Sequence, residues 1–122
     1  MSRVSRIKIV ACAVLVTMLA PPLVGGVLAQ EILYIANDLG NSVTSYHNPA
    51  TVNGNIAPAT NLVGLTTGLV LPRDIVVNSA GELIACNILS NAVTVYAHAA
   101  TDTGNVLPSR NLQGAATLIN AP

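Results

Sequence analysis

The chain repeats itself. Residues 33–72 lie over residues 83–122 at an offset of 50 with no gap, and 17 of those 40 pairs are identical. The identities run from Leu33/Leu83 and Asn37/Asn87 through Val43/Val93, Thr44/Thr94 and Tyr46/Tyr96. They continue through Gly54/Gly104, Asn55/Asn105, Asn61/Asn111 and Leu62/Leu112 to Pro72/Pro122. A period of this length means one supersecondary unit used twice, and such units bury their apolar faces by stacking on a neighbour. Whatever one repeat folds into, the other must be able to fold into as well.

The punctuation inside a repeat indicates strands. Ile75–Val77 is a β-branched run, and Asn78-Ser79-Ala80-Gly81 is a turn cluster. Leu83–Cys86 and Ala92–Tyr96 are apolar stretches separated by Asn87–Asn91, a turn with Asn at both ends, where the left-handed conformation is tolerated. A longer loop, Ala97–Pro108, carries Gly104-Asn105 and leads to a fourth strand near Asn111–Gln113. Strands are expected near 33–36, 42–46, 61–64, 75–78, 83–86, 92–96 and 110–113. No 3.6-residue periodicity appears after residue 29, so helix is not expected there. Apolar residues fall on both faces of Leu33–Ala36 and Leu83–Cys86. That suits sheets stacked face to face better than a free-standing two-sheet sandwich, the structural alternative.

Residues 1–29 differ in kind. Arg3, Arg6 and Lys8 precede an apolar run, Ile9–Ala20, which ends at Pro21-Pro22, and Val27-Leu28-Ala29 presents small or modest side chains. This is the layout of a secretory signal with cleavage expected before Gln30. The apolar run is short for a membrane span. The reading places one helix in the signal and the rest of the chain in a periplasmic or extracellular setting. A membrane would be met only through this segment, if it stayed uncleaved. Cys12 has most of the apolar run after it instead of before it, which argues against lipidation. Cys86 would be the sole cysteine after cleavage, so no intramolecular disulfide is available. It aligns with Ala36, and a small buried side chain is the expected role.

From Gln30 onward Arg73 and Arg110 face Glu31, Asp38, Asp74, Glu82 and Asp102, a net −3 with no lysine. That balance argues against a nucleic-acid or anionic-lipid partner, which needs clustered cations, and no nucleic-acid partner is expected. Tyr34, Tyr46 and Tyr96 are the only aromatics, too few for a stacking platform.

Pro72-Arg73-Asp74-Ile75-Val76-Val77-Asn78, then Leu83-Ile84-Ala85-Cys86-Asn87, then Asn91-Ala92-Val93-Thr94-Val95-Tyr96 resembles the NHL and YVTN groups of β-propeller repeats. Leu33–Asn37 and Asn41–Tyr46 give the same resemblance in the first repeat. It covers nearly all of residues 32–122. It implies an all-β fold of two four-stranded antiparallel blades, a partial propeller over 30–122 with repeats at about 33–72 and 75–122. Two departures stand out: Asn78 replaces the family's usual Asp, and two repeats stand where propellers have about four to eight. The first blade is also expected to lack its innermost strand, because the expected mature chain begins at the second.

Arg73 and Asp74 precede an inner strand, where a propeller lines its channel, and are the best polar candidates for ligand contact. Asn37 and Asn87 recur at equivalent rim positions and could contact a ligand, although turn chemistry alone accounts for Asn there. His47 and His98 stand apart from any Asp, Glu or Cys cluster, so no metal site is expected. No Gly-x-Ser-x-Gly elbow is present, no catalytic residue is assigned and no cofactor is expected. The expected function is an exported, non-catalytic module binding a protein or small-molecule ligand, with self-association through uncovered sheet faces. The alternatives are a fragment of a propeller enzyme of lactonase or hydrolase type, or a truncated product without independent function.

Overall fold

The computed structural model describes residues 9–10, 13–17 and 30–122. Over 30–122 the chain forms two antiparallel sheets, of three and four strands. The first contains β3 (Glu31–Asn37), β4 (Ser42–His47) and β5 (Thr60–Val63). The second contains β6 (Pro72–Val77), β7 (Leu83–Asn87), β8 (Ala92–Tyr96) and β9 (Arg110–Gln113), in that spatial order. All seven strands lie where the alternation of apolar runs and turn clusters puts them. A single 3-10 turn, Ala115–Thr117, follows β9.

The N-terminal segment departs from expectation. Its described backbone is β1 (Ile9–Val10) and β2 (Ala13–Thr17), not helix. β2 pairs antiparallel with β3, from Ala13 opposite Ile35 to Thr17 opposite Glu31. Over residues 30–122 the first sheet has three strands to the second sheet's four, as expected for a blade that begins at its second strand, and β2 lies on that edge only in the uncut chain. The physical cause is the edge itself: β3 would otherwise carry a row of unpaired backbone groups, and Ala13-Val14-Leu15-Val16-Thr17 has strand-forming composition. The expected cleavage site at Val27–Ala29 lies outside the described residues.

The turns use the chemistry that the sequence supplies. Asn41 and Asn91 take positive φ, 47° and 48°, in the tight turns after β3 and β7. In the β6–β7 turn, Asn78 Oδ1 accepts from the amides of Ala80 and Glu82, both at 3.0 Å, and Gly81 has φ 80°. Asn78 Nδ2 donates to Glu82 Oε2 at 2.7 Å. An aspartate could not make that last bond, which accounts for the amide at this position.

The repeats share fine geometry as well as sequence. The Leu71 amide donates to Asn41 Oδ1 and the Ala121 amide to Asn91 Oδ1, each at 2.8 Å. The Thr67 hydroxyl donates to the Gly64 carbonyl and the Thr117 hydroxyl to the Gly114 carbonyl, each at 2.7 Å. The Ala59 and Ser109 amides donate to the Ser45 and Val95 carbonyls, each at 2.7 Å.

Both sheets contribute to one core. Ile32, Tyr34, Ala36, Val43, Leu62 and Leu69 come from the first repeat, and Ile75, Val77, Leu83, Ala85, Tyr96 and Ala99 from the second. Burial alternates strictly along β3, β7 and β8. Each sheet therefore has one deeply buried face and one half-buried face, where apolar composition alone suggested equal burial of both. The difference has a simple origin: among the described residues each sheet has only the other to lean on.

Candidate functional site

The four polar candidates fall at the end of the molecule where β3 and β7 finish and β6 begins. Arg73 lies beside a bulge at Pro72/Asp74, formed because proline has no amide to give the ladder. Its guanidinium stands 3.9 Å from Asp38 of the first repeat, and both side chains are exposed. A surface pair of this kind contributes little to stability. Asp74 is exposed opposite Cys86 in the β6–β7 register. Burial pushes the Cys86 thiol up, and the Asp74 carboxylate pushes it further, so the thiol is a poor nucleophile at neutral pH.

The two asparagines do internal work. Asn87 is fully buried, and its Nδ2 donates to Thr94 Oγ1 at 3.0 Å and to the Ala85 carbonyl at 3.3 Å. Its Oδ1 accepts the Val70 amide at 3.1 Å, linking the second sheet to the connector that leaves the first. Asn37 repeats part of this pattern, donating to Thr44 Oγ1 at 3.3 Å and Ser42 Oγ at 3.2 Å. Arg73 and Asn37's neighbour Asp38 are brought together, while Asn87 is held inside the inter-sheet contact. Among the described residues no three His, Cys, Asp or Glu side chains gather where a metal ion could sit.

The feature with the most developed geometry is the contact between the two sheets. The Gly104 amide donates to the Asn61 carbonyl at 2.7 Å, and the Gly104 carbonyl accepts the Val63 amide at 3.0 Å. Leu62 and Gly104 form a parallel bridge. Thr103 Oγ1 accepts the Asn61 amide, and Asn105 Oδ1 accepts the Thr66 amide at 2.9 Å. The loop 103–105 is thus a latch laid along the outer edge of β5. Deeper in, the Tyr96 hydroxyl donates to the Thr67 carbonyl at 2.6 Å, and burial raises the pKa of this tyrosine. Tyr34, buried in the same core, is pushed up to about 12 by desolvation.

This contact leaves its mark on identical residues. Leu62, under the latch, is 2% exposed, whereas Leu112, fifty residues on, is 57% exposed. Leu83, Ala85, Thr94 and Tyr96 are buried, and their counterparts Leu33, Ile35, Thr44 and Tyr46 are only half-buried. In the other direction Tyr34, Ala36 and Val43 are buried while Ile84, Cys86 and Val93 are half-buried. Beside Leu112 a cleft of about 270 Å³ is lined by Ser90, Asn91, Gln113, Gly114, Ala115 and Ile119. Ser90 Oγ is buried at its edge with no partner among the described residues.

Uncovered sheet faces were expected from the presence of only two repeats, but the candidate site residues were sought among polar side chains and not on those faces. The signal was there in the pair Leu62/Leu112: identical apolar residues in a two-unit array cannot both have a neighbour on the same side.

Among the described residues no helix is long and apolar enough to cross a membrane. Comparison of the chain with protein-family models, with curated proteins and with solved structures finds no match in any of the three.

Proposed function

We propose that this chain is an exported, non-catalytic interaction module of NHL/YVTN propeller-repeat type, and that it binds protein through the two open sheet faces. The observation that carries this reading is the contrast between Leu62 and Leu112, 2% and 57% exposed at the same place in the repeat. A side chain that one repeat buries in a specific interface is presented to solvent by the other in the same backbone setting. The polar candidates support the same reading from the other side. Asn87 and Tyr96 are committed to inter-sheet hydrogen bonds, and Arg73 to an exposed pair with Asp38.

Site-specific photo-crosslinking in the producing cell tests it. A photoreactive residue at position 112 or 44, on the two open faces, is expected to give discrete adducts in the extracytoplasmic fraction. The same residue at position 107, exposed but off both faces, is expected to give none. Absence of adducts from both faces overturns the reading. So does hydrolysis of a lactone by the purified chain that is lost in Asp74→Asn.

A further inference from the structure

We propose that the partner of each open face is a second copy of this chain, docked head to tail in the manner in which the second repeat docks on the first. The proposal rests on the interaction-module reading and names its partner.

The argument is one of equivalence, residue by residue. The first repeat carries at its own head, unengaged among the described residues, the parts with which the second repeat grips β5. Gly54-Asn55 corresponds to the latch residues Gly104-Asn105, and Gly54 has φ 76° against 71° for Gly104. The loop bearing it is closed by the Thr51 amide donating to the Asn48 carbonyl at 2.9 Å, as Thr101 donates to His98 at 3.0 Å. Tyr46 corresponds to Tyr96, the residue whose hydroxyl reaches across to the Thr67 carbonyl. Ile56, 45% exposed, corresponds to Val106, which packs against the shared core.

The tail of the second repeat carries the matching seat. Asn111 and Gln113 present the backbone groups that Asn61 and Val63 use to hold Gly104. The connector beyond them is already shaped as its counterpart is. Thr117 and Gly114 reproduce the Thr67–Gly64 hydrogen bond, and the Ile119 and Leu69 amides each donate to a threonine hydroxyl at 3.2 Å. The cleft beside Gly114 lies where Asn105 sits against Gly64 in the first repeat. The turns and connector that would meet already share the backbone geometry of their engaged counterparts, which lowers the ordering cost of association.

One substitution bears on fit. Ile32 on the first tail face is replaced by Glu82 on the second. That carboxylate is paired at 2.8 Å with Arg110, so the exposed tail face does not present a lone charge. The contact is heterologous, since head and tail are different surfaces, and it either propagates or closes according to the rotation it imposes.

The test uses the full chain and two exposed-site variants. Leu112→Asp damages the tail alone and Ile56→Asp the head alone. Neither side chain is buried, so both variants are expected to melt as the parent does when all three are compared at high dilution. The parent is expected to sediment at micromolar concentration as assemblies larger than the monomer. Each variant alone is expected to be monomeric. An equimolar mixture is expected to give dimers and nothing larger, because one sound tail then meets one sound head. Cys86, whose counterpart Ala36 is 4% exposed under the second sheet, is expected to react at least tenfold more slowly with a maleimide in the assembly than in Leu112→Asp. A monomeric parent, association that survives in either variant, or a mixture that stays monomeric overturns the proposal. A monomeric parent that still crosslinks another protein through position 112 overturns this inference and leaves the interaction-module reading standing.

Discussion

Asn78 shows how much one amide can decide. Its Oδ1 organises the β6–β7 turn, and its Nδ2 holds Glu82, which Arg110 also grips. The Asn78 hydrogen bond is the main cause of Glu82's lowered pKa, ahead of the Arg110 interaction, with partial desolvation opposing both. A carboxylate with a lowered folded pKa stabilises the fold above its unfolded value of 4.5. That contribution is lost as pH falls through the lower folded value. Urea melts of the parent are therefore expected to weaken as pH drops below 4.5. Asn78→Asp sets two carboxylates against each other, so it is expected to be less stable than the parent at pH 7. The gap is expected to narrow as pH falls; a gap constant from pH 7 to pH 4 would show that the turn does not feel this pair. Tyr96→Phe tests a different residue in the same currency. It leaves the Thr67 carbonyl without its buried donor, at a cost of about 1–3 kcal/mol, readable as a lower urea midpoint with an unchanged slope. No change in midpoint would mean that water takes the hydroxyl's place.

At the scale of elements, the glycines opening the two connectors offer an internal control. Gly64 has φ 139° and Gly114 φ 115°, so a side chain is strained at either. At Gly64 a methyl group would also collide with Asn105, its carbon 2.7 Å from that residue's Cβ, whereas at Gly114 it meets nothing within 4 Å. Both alanine variants should lose about 1–3 kcal/mol to backbone strain. Gly64→Ala should lose more, because the latch must lift from β5. Equal losses, measured by urea melts at high dilution where chains are apart, would show that Asn105 adds nothing to the inter-sheet contact. The comparison also shows what was legible in the sequence. All seven strands of residues 30–122 were, because apolar runs bounded by Asn, Gly and Pro fix local structure within a few residues. The left-handed turns at Asn41 and Asn91 were legible for the same reason. Two things were not. The latch at 103–105 makes its bonds to residues about forty positions away, and nothing local in Thr-Gly-Asn specifies them. The fate of Asn87 was hidden too, since a rim position and a buried junction carry the same residue. Only the neighbour's presence, which buries Asn87 and leaves Asn37 partly open, tells them apart.

At the scale of the whole molecule the N-terminal segment faces two incompatible demands. Residues 1–29 have the layout of an export signal cut before Gln30, yet Ala13–Thr17 fills the edge of the first sheet against β3. A chain cut before Gln30 has no β2, so β3 becomes an edge strand seven residues long. Backbone amides along an antiparallel strand alternate between its two neighbours. Removing β2 therefore strips protection from one alternate set in Glu31–Asn37 and leaves the set bonded to β4 intact. Mass spectrometry of the chain recovered from the extracytoplasmic fraction is expected to show Gln30 at the N-terminus, free or cyclised. Recovery with Met1 or Ser2 in place would end the cleavage reading. If cleavage holds, hydrogen exchange on that material at high dilution is expected to split β3 into fast and slow alternate amides. The uncut chain is expected to protect both sets. Uniform protection in the cut chain would mean that another strand has taken the place of β2, and the exposed edge would then belong with the two open faces as a third surface of association.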